Sequence, residues 1–451
     1  MMRAALVLLV LAAGCTRKDP LYCDAETPCR PGLVCRLPER ECVPAPDEGD
    51  LARPDQRVAD LAQPPPDLST GTECSDSTQC PAARPVCRQG RCGPCTRNYH
   101  CPRSACDDNG QCHDPARVLV VDDTMGACRR SGQSGNQPYC FLREALDDPE
   151  LGRSRDVVLI RPSTRGGHRL EGNFLFVQDS IRLVGARTRR EDPPVLVREP
   201  IWIQTTNKAI EVGIEDLHIG SLDSGSVRAI HCTRLPGAPP LGLTVRWSRI
   251  EGAPLSGIET GHCSPVRLVS NVVLRNATSP ASPAAGVLVS GGEAMLLNNI
   301  IADNGMGNPL GGGVVLTNVV AGSRVAFNTV VNNRCAGPPS SHCNLRCDGP
   351  VPLPTSYSIL AGSGAGRQSI TGTCQVSNSV VPQGFMDGTD NLVGVEPVYV
   401  NAAGGDYHLR PDAMVNRMLR RPESNPAVTF DIDEDPRPPG GVDIGADQMI
   451  P

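Results

Sequence analysis

Histidine and acidic side chains in neighbouring repeats are the residues whose types and spacing could support acid–base chemistry. His231 and Glu259 occupy equivalent positions in two short apolar segments, and His262 follows soon after. A glycoside hydrolase needs two carboxyl groups roughly 5–9.5 Å apart, whereas a polysaccharide lyase needs a strong base beside acidic residues that hold a cation. Leu288 and Val315 continue the same column, so no acidic track forms. We therefore interpret the pair as a surface His–Glu contact.

Three further charged residues, Glu215, Asp216 and His218, lie together in an earlier segment. Aromatic residues form only 3% of the chain, and Trp202 and Trp247 are its two tryptophans. Because sugar-binding clefts usually present tryptophan or tyrosine platforms, this composition argues against a carbohydrate-active enzyme. The sequence also contains no G-x-S-x-G, Walker or H-E-x-x-H motif. We assign no catalytic residue.

An acidic motif near the C-terminus has part of the pattern of a calcium loop. Asp431, Asp433 and Asp435 give the D-x-D-x-D opening of such loops. An EF-hand loop needs glycine at its sixth position and glutamate at its twelfth, and a proline and a valine stand there instead. We therefore predict a solvated acidic turn, or one paired with Arg437, and no metal site. The sequence implies no cofactor, and this motif is the one feature that leaves calcium open.

The beginning of the chain has the form of an export signal. Arg3 precedes a short apolar stretch that ends at Gly14 and Cys15, which predicts a signal peptide over residues 1–14. The end of this stretch resembles a bacterial lipobox, in which the cysteine is diacylated and becomes the new N-terminus. Ala12 stands where leucine is usual in that motif. The resemblance implies that Cys15 is lipidated.

A lipid on Cys15 would make the membrane a partner of this protein, with residues 15–22 as the tether. Thr16 follows the cysteine at the position where aspartate can signal inner-membrane retention, which favours the outer membrane or the cell surface. Of the 21 cysteines in the chain, 20 remain once Cys15 is lipidated. An even number agrees with full disulfide pairing in an exported protein.

Cysteine-rich repeats follow the tether. Three groups of four cysteines each begin C-x5-C, and they occupy residues 23–43 and 74–112. Segments with so little apolar content cannot bury a core, so we predict that disulfides hold them together. Zinc binding is disfavoured because C-x2-C pairs within a group and interleaved histidines are missing. Cys92 and Cys95 resemble a redox C-x-x-C pair but belong to successive groups, and the pairing within each group stays open.

The region between the first two groups, residues 44–73, is rich in proline and aspartate and is predicted to be an extended spacer. Eight cysteines lie beyond the repeats. Cys128 and Cys140 flank a glycine-rich loop and are expected to pair, as are Cys232 and Cys263, which fall near equivalent positions of adjacent repeats. The pairing of the other four stays open: Cys335, Cys343, Cys347 and Cys374.

Residues 117–425 are predicted to form a parallel β-solenoid. Short apolar segments recur every 27–29 residues in one series, whose first residues are Ala229, Gly257, Gly286 and Gly313. A second series has the form N-x4-N around an apolar pair and begins at Asn271, Asn299, Asn328 and, more weakly, Asn378. A period of this length with short strands indicates coils that stack their apolar residues. A β-sandwich would not keep this long-range register, and the frame of leucine-rich repeats is absent.

The N-x4-N repeats also predict which side chains point inward. Val273, Ile301 and Val330, each two residues after the first asparagine, should contact one another in successive coils. Asparagines such as Asn304 suit the bends because this residue tolerates left-handed conformations. Identical amides one coil apart can also form hydrogen-bonded ladders. Ahead of the coils, the apolar spacing in residues 140–146 predicts one short amphipathic helix.

Two terminal motifs resemble a known family. The segment Y-C-F-L-R-E-A-L at residues 139–146 resembles the opening of many bacterial right-handed parallel β-helix proteins, in which a short helix caps the first coil. Residues 391–411 and 431–447 are similar to the closing signature of the pectate-lyase-like, "choice-of-anchor Q" group of exported proteins. The resemblance implies an all-β, right-handed, single-stranded parallel β-helix with an N-terminal helical cap and a closing motif at residues 426–451.

Charge and domain order together narrow the predicted function. The net charge of -6 is modest and argues against nucleic acid as a partner. We therefore predict a monomeric, non-catalytic lipoprotein of the bacterial cell envelope that displays a rigid β-helix for adhesion or recognition, with a glycan or a surface protein as its ligand. The alternative is a polysaccharide-active enzyme: a lyase, hydrolase or epimerase acting on uronate polymers.

Overall fold

The computed structural model describes residues 33–36, 41–44 and most of residues 74–449. The gaps in the last range are residues 89, 125–127, 130–136, 169–174, 206, 221, 223–227, 280–284, 306–311, 335–343, 362–368, 422–427 and 439–440. Several predictions fall outside the described residues: the signal peptide, the lipidated Cys15, the tether, the spacer, and the pairing of Cys335 and Cys343. Within the described part, no helix is long and apolar enough to cross a membrane.

The chain divides into two compact units, Met1–Thr70 and Gly71–Pro451. The described part of the first unit is one antiparallel hairpin, in which Leu33–Arg36 pairs with Glu41–Pro44. The second unit contains two disulfide modules, three long parallel sheets and a C-terminal segment.

Three parallel sheets form the faces of a right-handed β-helix. Sheet A has ten strands: Val118–Val121, Val157–Ile160, Ile181–Gly185, Ile210–Glu215, Leu241–Arg246, Val266–Val269, Ala294–Leu297, Arg324–Ala326, Leu353–Ser356 and Cys374–Ser377. Sheet B has six strands: Val195–Val197, Leu217–Gly220, Arg249–Glu251, Val272–Leu274, Ile300–Ala302 and Thr329–Val331. Sheet C has eight strands: Leu175–Val177, Ile201–Thr205, Ile230–Arg234, Ile258–Gly261, Val287–Gly292, Val314–Val319, Leu345–Asp348 and Ile370–Gly372. The predicted fold class is confirmed.

The interior of the helix is a set of apolar columns, because strand residues alternate between the inside and the outside. Ile301 pairs with Val273 in the coil before it and with Val330 in the coil after it. All three side chains are at most 1% exposed. The predicted inward position is therefore confirmed. The one α-helix among the described residues, Leu142–Leu146, buries Leu142 against the same core at the N-terminal end.

Two buried ladders of asparagine amides run along the bends of the helix. In the first, Asn271 Nδ2 donates to Asn299 Oδ1 at 3.0 Å, and Asn299 Nδ2 donates to Asn328 Oδ1 at 2.9 Å. The second ladder links Asn276, Asn304, Asn333 and Asn344 through Nδ2 to Oδ1 hydrogen bonds of 2.9–3.1 Å. The carboxamide oxygens also accept backbone N–H groups from the preceding coil, such as Asn271 N to Asn299 Oδ1 at 3.0 Å. The predicted ladders are confirmed.

For the ladder asparagines from Asn271 to Asn333, the left-handed backbone at these bends belongs to the preceding residue, so the interpretation of these asparagines as left-handed residues is wrong. Positive φ occurs at Asn298, Phe327 and Tyr357, with values of 61°, 55° and 50°. The last repeat follows the same rule, in which the left-handed residue comes directly before the ladder residue. Asn378 takes the left-handed position, with φ 48°, and Ser379 takes the ladder position. The first asparagine of that repeat had been assigned one residue too early.

Seven disulfides lie within the described residues: Cys74–Cys87, Cys80–Cys92, Cys95–Cys106, Cys101–Cys112, Cys128–Cys140, Cys232–Cys263 and Cys347–Cys374. Each of the two described modules joins its first cysteine to its third and its second to its fourth, which the spacing had left open. Cys92 and Cys95 therefore do not pair with each other. The structure also joins both pairs that were expected beyond the modules.

The C-terminal segment folds back over the outside of the β-helix as short strands. Val380–Val381 pairs in parallel with Leu392–Val393. Two antiparallel pairs follow: Tyr399–Asn401 with Asp406–Leu409, and Arg420–Arg421 with Val442–Asp443. Tyr407 and Leu409 are buried against a second apolar cluster, which includes residues from sheet B. The segment is thereby fixed to the solenoid by packing.

Candidate functional site

The outer face of sheet C presents a column of large side chains, one from each successive coil. Phe176, Trp202, His231 and Glu259 are register partners in that order. The Phe176 and Trp202 rings meet edge-on with centroids 6.1 Å apart, and the Trp202 and His231 rings lie 5.1 Å apart. Phe176 is 46% exposed. We call these four residues the aromatic column.

Polar side chains flank the aromatic column on the same face. Gln204, Thr233, Ser290 and Thr317 are outward residues of successive sheet C strands, with Gly261 between the second and the third. Strands in a sheet repeat about every 4.8 Å. The face therefore offers rings and hydroxyl or amide groups at a regular spacing along the helix axis.

Glu259, at the end of the aromatic column, is held by hydrogen bonds and charge. Arg228 Nε lies 2.5 Å from Glu259 Oε2, and Ser256 Oγ donates to the same oxygen at 3.1 Å. His231 Nδ1 lies 3.9 Å from Glu259 Oε1. Burial lowers the pKa of His231 below its usual value, and the positive charge of Arg228 acts in the same direction. His231 is therefore a neutral imidazole beside Glu259, whose carboxylate is held in place by Arg228.

The carboxyl pair that a glycoside hydrolase requires does not form on the described part of this face. Leu288, Val315 and Arg346 continue the column beyond Glu259. The other outward carboxylate of the sheet C strands is Asp348, three coils away and so roughly 14 Å along the axis. Hydrolases place their carboxyl groups roughly 5–9.5 Å apart. His262 lies at a bend with φ 58°, outside the column.

Glu215 and Asp216 hold the third disulfide module, Cys95 to Cys112, against the β-helix. Asn98 Nδ2 of the module donates to Glu215 Oε2 at 2.9 Å and to Asp216 Oδ2 at 2.8 Å. Arg182 pairs with Glu215 at 2.7 Å, and Arg187 pairs with Asp216 at 3.2 Å. Both carboxylates are at most 1% exposed, and burial raises the pKa of Asp216. These acids are therefore structural contacts.

His218, the third member of that sequence group, lies apart from the module contact. It faces outward on sheet B with its Nε2 3.8 Å from Glu251 Oε2, and Arg249 is its register partner. Burial lowers the pKa of His218, and the charge of Arg249 adds to this effect. These three residues, although close in sequence, therefore belong to two different surfaces of the β-helix.

The module also binds the C-terminal segment. Arg97 Nε lies 2.9 Å from Glu434 Oε1, and Tyr99 OH donates to Glu434 Oε2 at 2.9 Å. The Arg97 guanidinium stacks on the Trp247 ring at 4.0 Å, and Arg246 lies 4.7 Å from the same ring. Trp247 is therefore covered by cations and differs in setting from Trp202.

The acidic turn at the C-terminus is organised by its own backbone. Asp431 accepts the N–H groups of Asp433 and Asp435 at 2.9 and 2.7 Å, and burial raises its pKa to about 7. Arg437, the expected partner, instead donates to the carbonyl oxygens of Asp443 and Gly445, at 2.9 and 2.8 Å. The expected ion pair between Arg437 and the acidic turn is therefore not formed. Arg437 is still near enough to Asp431 for electrostatic attraction.

His408 ties this turn to the preceding hairpin. Its ring nitrogens lie 2.6 Å from Asp406 and 3.0 Å from Asp433. Burial alone would lower the pKa of His408, but the hydrogen bonds and charges of the surrounding aspartates raise it to about 10. Within the described residues, the groups of three or more potential metal ligands that converge are cysteines already in disulfides.

Sequence reasoning located His231, Glu259 and Trp202 but missed how they combine. Phe176 begins the aromatic column, and Arg228 neutralises Glu259. Phe176 lies before the first recognisable repeat, so the period alone did not align it. The sequence feature that could have aligned Phe176 with Trp202 was its place as the second residue of a short apolar segment.

Comparisons with protein families and with curated protein sequences find no match for this chain. A structure described as "Crystal structure of pectate lyase Pel9A" is similar to it, with 12% sequence identity and a TM-score of 0.36. The alignment covers 74% of this chain and 96% of that one. The fold of this chain, a parallel β-helix, is given by its own three sheets. An identity and a TM-score this low carry no argument.

Proposed function

We propose that this protein is a non-catalytic recognition protein of the bacterial cell envelope, and that it binds an extended glycan on the outer face of sheet C. The observation that carries the proposal is the aromatic column. Aromatic rings supply apolar contact area for the flat faces of sugar rings. The flanking hydroxyl and amide groups supply hydrogen bonds of the kind that orient polar ligands.

The regular repeat of the face determines the shape of the ligand. Coils follow one another about every 4.8 Å, a distance comparable to the length of one sugar ring. Successive rings of an extended chain would therefore meet successive coils. Among the described residues of this face, one carboxylate, Glu259, lies near the rings and is paired with Arg228. That part of the face therefore offers no cluster of free acidic charge. A neutral polysaccharide fits this composition better than a uronate polymer.

The test is a glycan array followed by calorimetry with the polysaccharides that bind. We expect Trp202→Ala and Phe176→Ala each to weaken binding about tenfold, which corresponds to the roughly 1.4 kcal/mol of one ring contact. Phe430→Ala is the matched control, because Phe430 is 42% exposed, close to the 46% of Phe176, and lies off this face. Equal loss in all three variants would contradict the proposal, as would turnover of any bound polysaccharide that depends on His231 or Glu259.

The lipid anchor is a separate part of the proposal and has its own test. Cys15 follows a short apolar export signal, and acyl chains on it would hold the protein at a membrane. We expect Cys15→Ser to abolish lipid labelling and to release the protein from the membrane fraction. Thr16→Ser is the control and should stay anchored. Retention of Cys15→Ser in the membrane would refute the anchor and leave the glycan proposal untouched.

A further inference from the structure

A cavity of about 340 Å³ lies where the third disulfide module, the β-helix and the C-terminal segment meet. Its apolar wall consists of Trp247, Val269, Leu297, Val428 and Phe430. Ligand cavities in proteins measure roughly 300–1,000 Å³ and are mostly apolar. The junction cavity meets both conditions, and it lies apart from the aromatic column of sheet C.

The polar groups of the junction cavity come from the module, the β-helix and the C-terminal segment. Thr96 and Arg97 belong to the module, Ser270 to the β-helix, and Thr429, Asp431 and Glu434 to the C-terminal segment. The charges of Arg97 and Glu434 offset one another, because their side chains form an ion pair at 2.9 Å. The carboxyl group of Asp431 already accepts the backbone N–H groups of Asp433, Asp435 and Gln448. The site therefore offers hydrogen bonds and leaves no unpaired charged side chain for an ion to neutralise.

Arg97 contributes a second, independent observation. Its side chain is 5% exposed, and its Nη1 has no hydrogen-bond acceptor among the described residues. A buried donor without an acceptor costs roughly 1–3 kcal/mol. The stacking of this guanidinium on Trp247, at 4.0 Å, offsets part of that cost but supplies no hydrogen bond. A hydrogen-bond acceptor on a ligand in the cavity would provide the missing partner of Arg97 Nη1 after a small shift of the arginine side chain.

We propose that the junction cavity binds a small uncharged molecule that combines an apolar ring system with one hydrogen-bond acceptor. The ring contacts the apolar wall beside Trp247, and the acceptor receives a hydrogen bond from Arg97. Because three bodies line the site, such a ligand also fastens the module and the C-terminal segment to the β-helix. A molecule that binds the folded state alone stabilises it.

The chain contains two tryptophans, which makes the site directly observable. In a Trp202→Phe background, Trp247 is the sole tryptophan, and it is excited at a wavelength that tyrosine does not absorb. Two probes of similar shape are titrated against the full chain: 1-acetylnaphthalene, which has a carbonyl acceptor, and 1-ethylnaphthalene, which has none. We expect saturable quenching of Trp247 by both, with the acetyl compound binding about tenfold tighter through its hydrogen bond. Equal affinities would overturn the acceptor assignment, and an absence of saturable quenching would overturn the site.

Substitutions locate the binding in the cavity. Val269→Phe fills part of the space and is expected to weaken both probes at least tenfold, whereas Leu288→Phe, an outward residue of sheet C, should not. Arg97→Met should remove the preference for the acetyl compound while 1-ethylnaphthalene still binds, which shows that the cavity survives. Unchanged affinities in Val269→Phe would refute the proposal even if Arg97→Met fails to fold.

Discussion

At the scale of single residues, the ladder asparagines carry a large share of the hydrogen bonding at the bends. Asn304 accepts from Asn276 N and Nδ2, at 2.9 and 3.1 Å. It donates to Val273 O at 3.0 Å and to Asn333 Oδ1 at 2.9 Å. Its exposed fraction is zero, so water cannot replace these bonds. One side chain thus satisfies polar groups in both adjacent coils.

We expect Asn304→Ala to lower the free energy of unfolding by about 3 kcal/mol, because it leaves several buried groups without partners at roughly 1–3 kcal/mol each. Gln375→Ala removes an amide of the same type from an exposed position of sheet A and should change stability by less than about 0.5 kcal/mol. Urea unfolding of the full chain measures both. A cost for Asn304→Ala no larger than for the control would show that the ladder is not energetically important.

The ladders also show what could be predicted from the residues alone. The N-x4-N repeats predicted the stacked amides because each coil there has nearly the same length. Asn344 was missed, since it joins the second ladder only 11 residues after Asn333, out of period. Ser358 and Ser379 replace asparagine in the first ladder, with hydroxyl groups in the same role. The position of a residue in its coil therefore predicts membership of a ladder better than the type of its side chain does.

At the scale of elements, the ladders explain the glycines that precede the sheet C strands. A Cβ atom at Gly286 would lie 2.6 Å from Asn304 Nδ2. The same conflict recurs at Gly257 with Asn276 and at Gly313 with Asn333, each at 2.8 Å. The two sequence series that revealed the solenoid are therefore physically linked, because the glycine of one coil makes room for an asparagine of the next.

Gly286→Ala should lower the free energy of unfolding by about 2 kcal/mol, as expected for overpacking of a rigid contact. The neighbouring atoms belong to a buried, fully hydrogen-bonded amide, which cannot move without breaking the ladder. Gly261→Ala is the control, because its nearest neighbour would be Thr233 Oγ1 at an ordinary 3.4 Å. If both variants unfold at the same urea concentration, the proposed link between glycine and ladder is wrong.

At the scale of the whole molecule, the third disulfide module is part of the folded body. Its contacts with Glu215, Asp216 and Glu434 join parts of the chain that are 117 to 335 residues apart. Local spacing predicted the module and that disulfides hold it together, though not how its cysteines pair. No periodicity relates a cysteine repeat to an acid in the solenoid. The docking, and the junction cavity that it creates, therefore could not be predicted from the sequence.

Asn98 is the residue on which this docking can be tested. Its amide nitrogen donates to two buried carboxylates of the β-helix. Its amide oxygen accepts the Cys106 N–H group at 3.0 Å, which is a contact within the module. Hydrogen bonds to charged groups contribute roughly 1.5–3 kcal/mol each. We expect Asn98→Ala to cost about 3 kcal/mol and to raise amide hydrogen exchange throughout residues 95–112 with the disulfides intact.

The β-helix should keep its protection in Asn98→Ala, because Arg182, Arg187 and Arg246 still pair with the two acids. Asn109→Ala, at an exposed turn of the same module, is the control and should leave exchange unchanged. Faster exchange in the coils but not in the module would mean that the module is held by Arg97 and Tyr99 instead. The exchange pattern therefore identifies whether Asn98, or Arg97 together with Tyr99, holds the module in place.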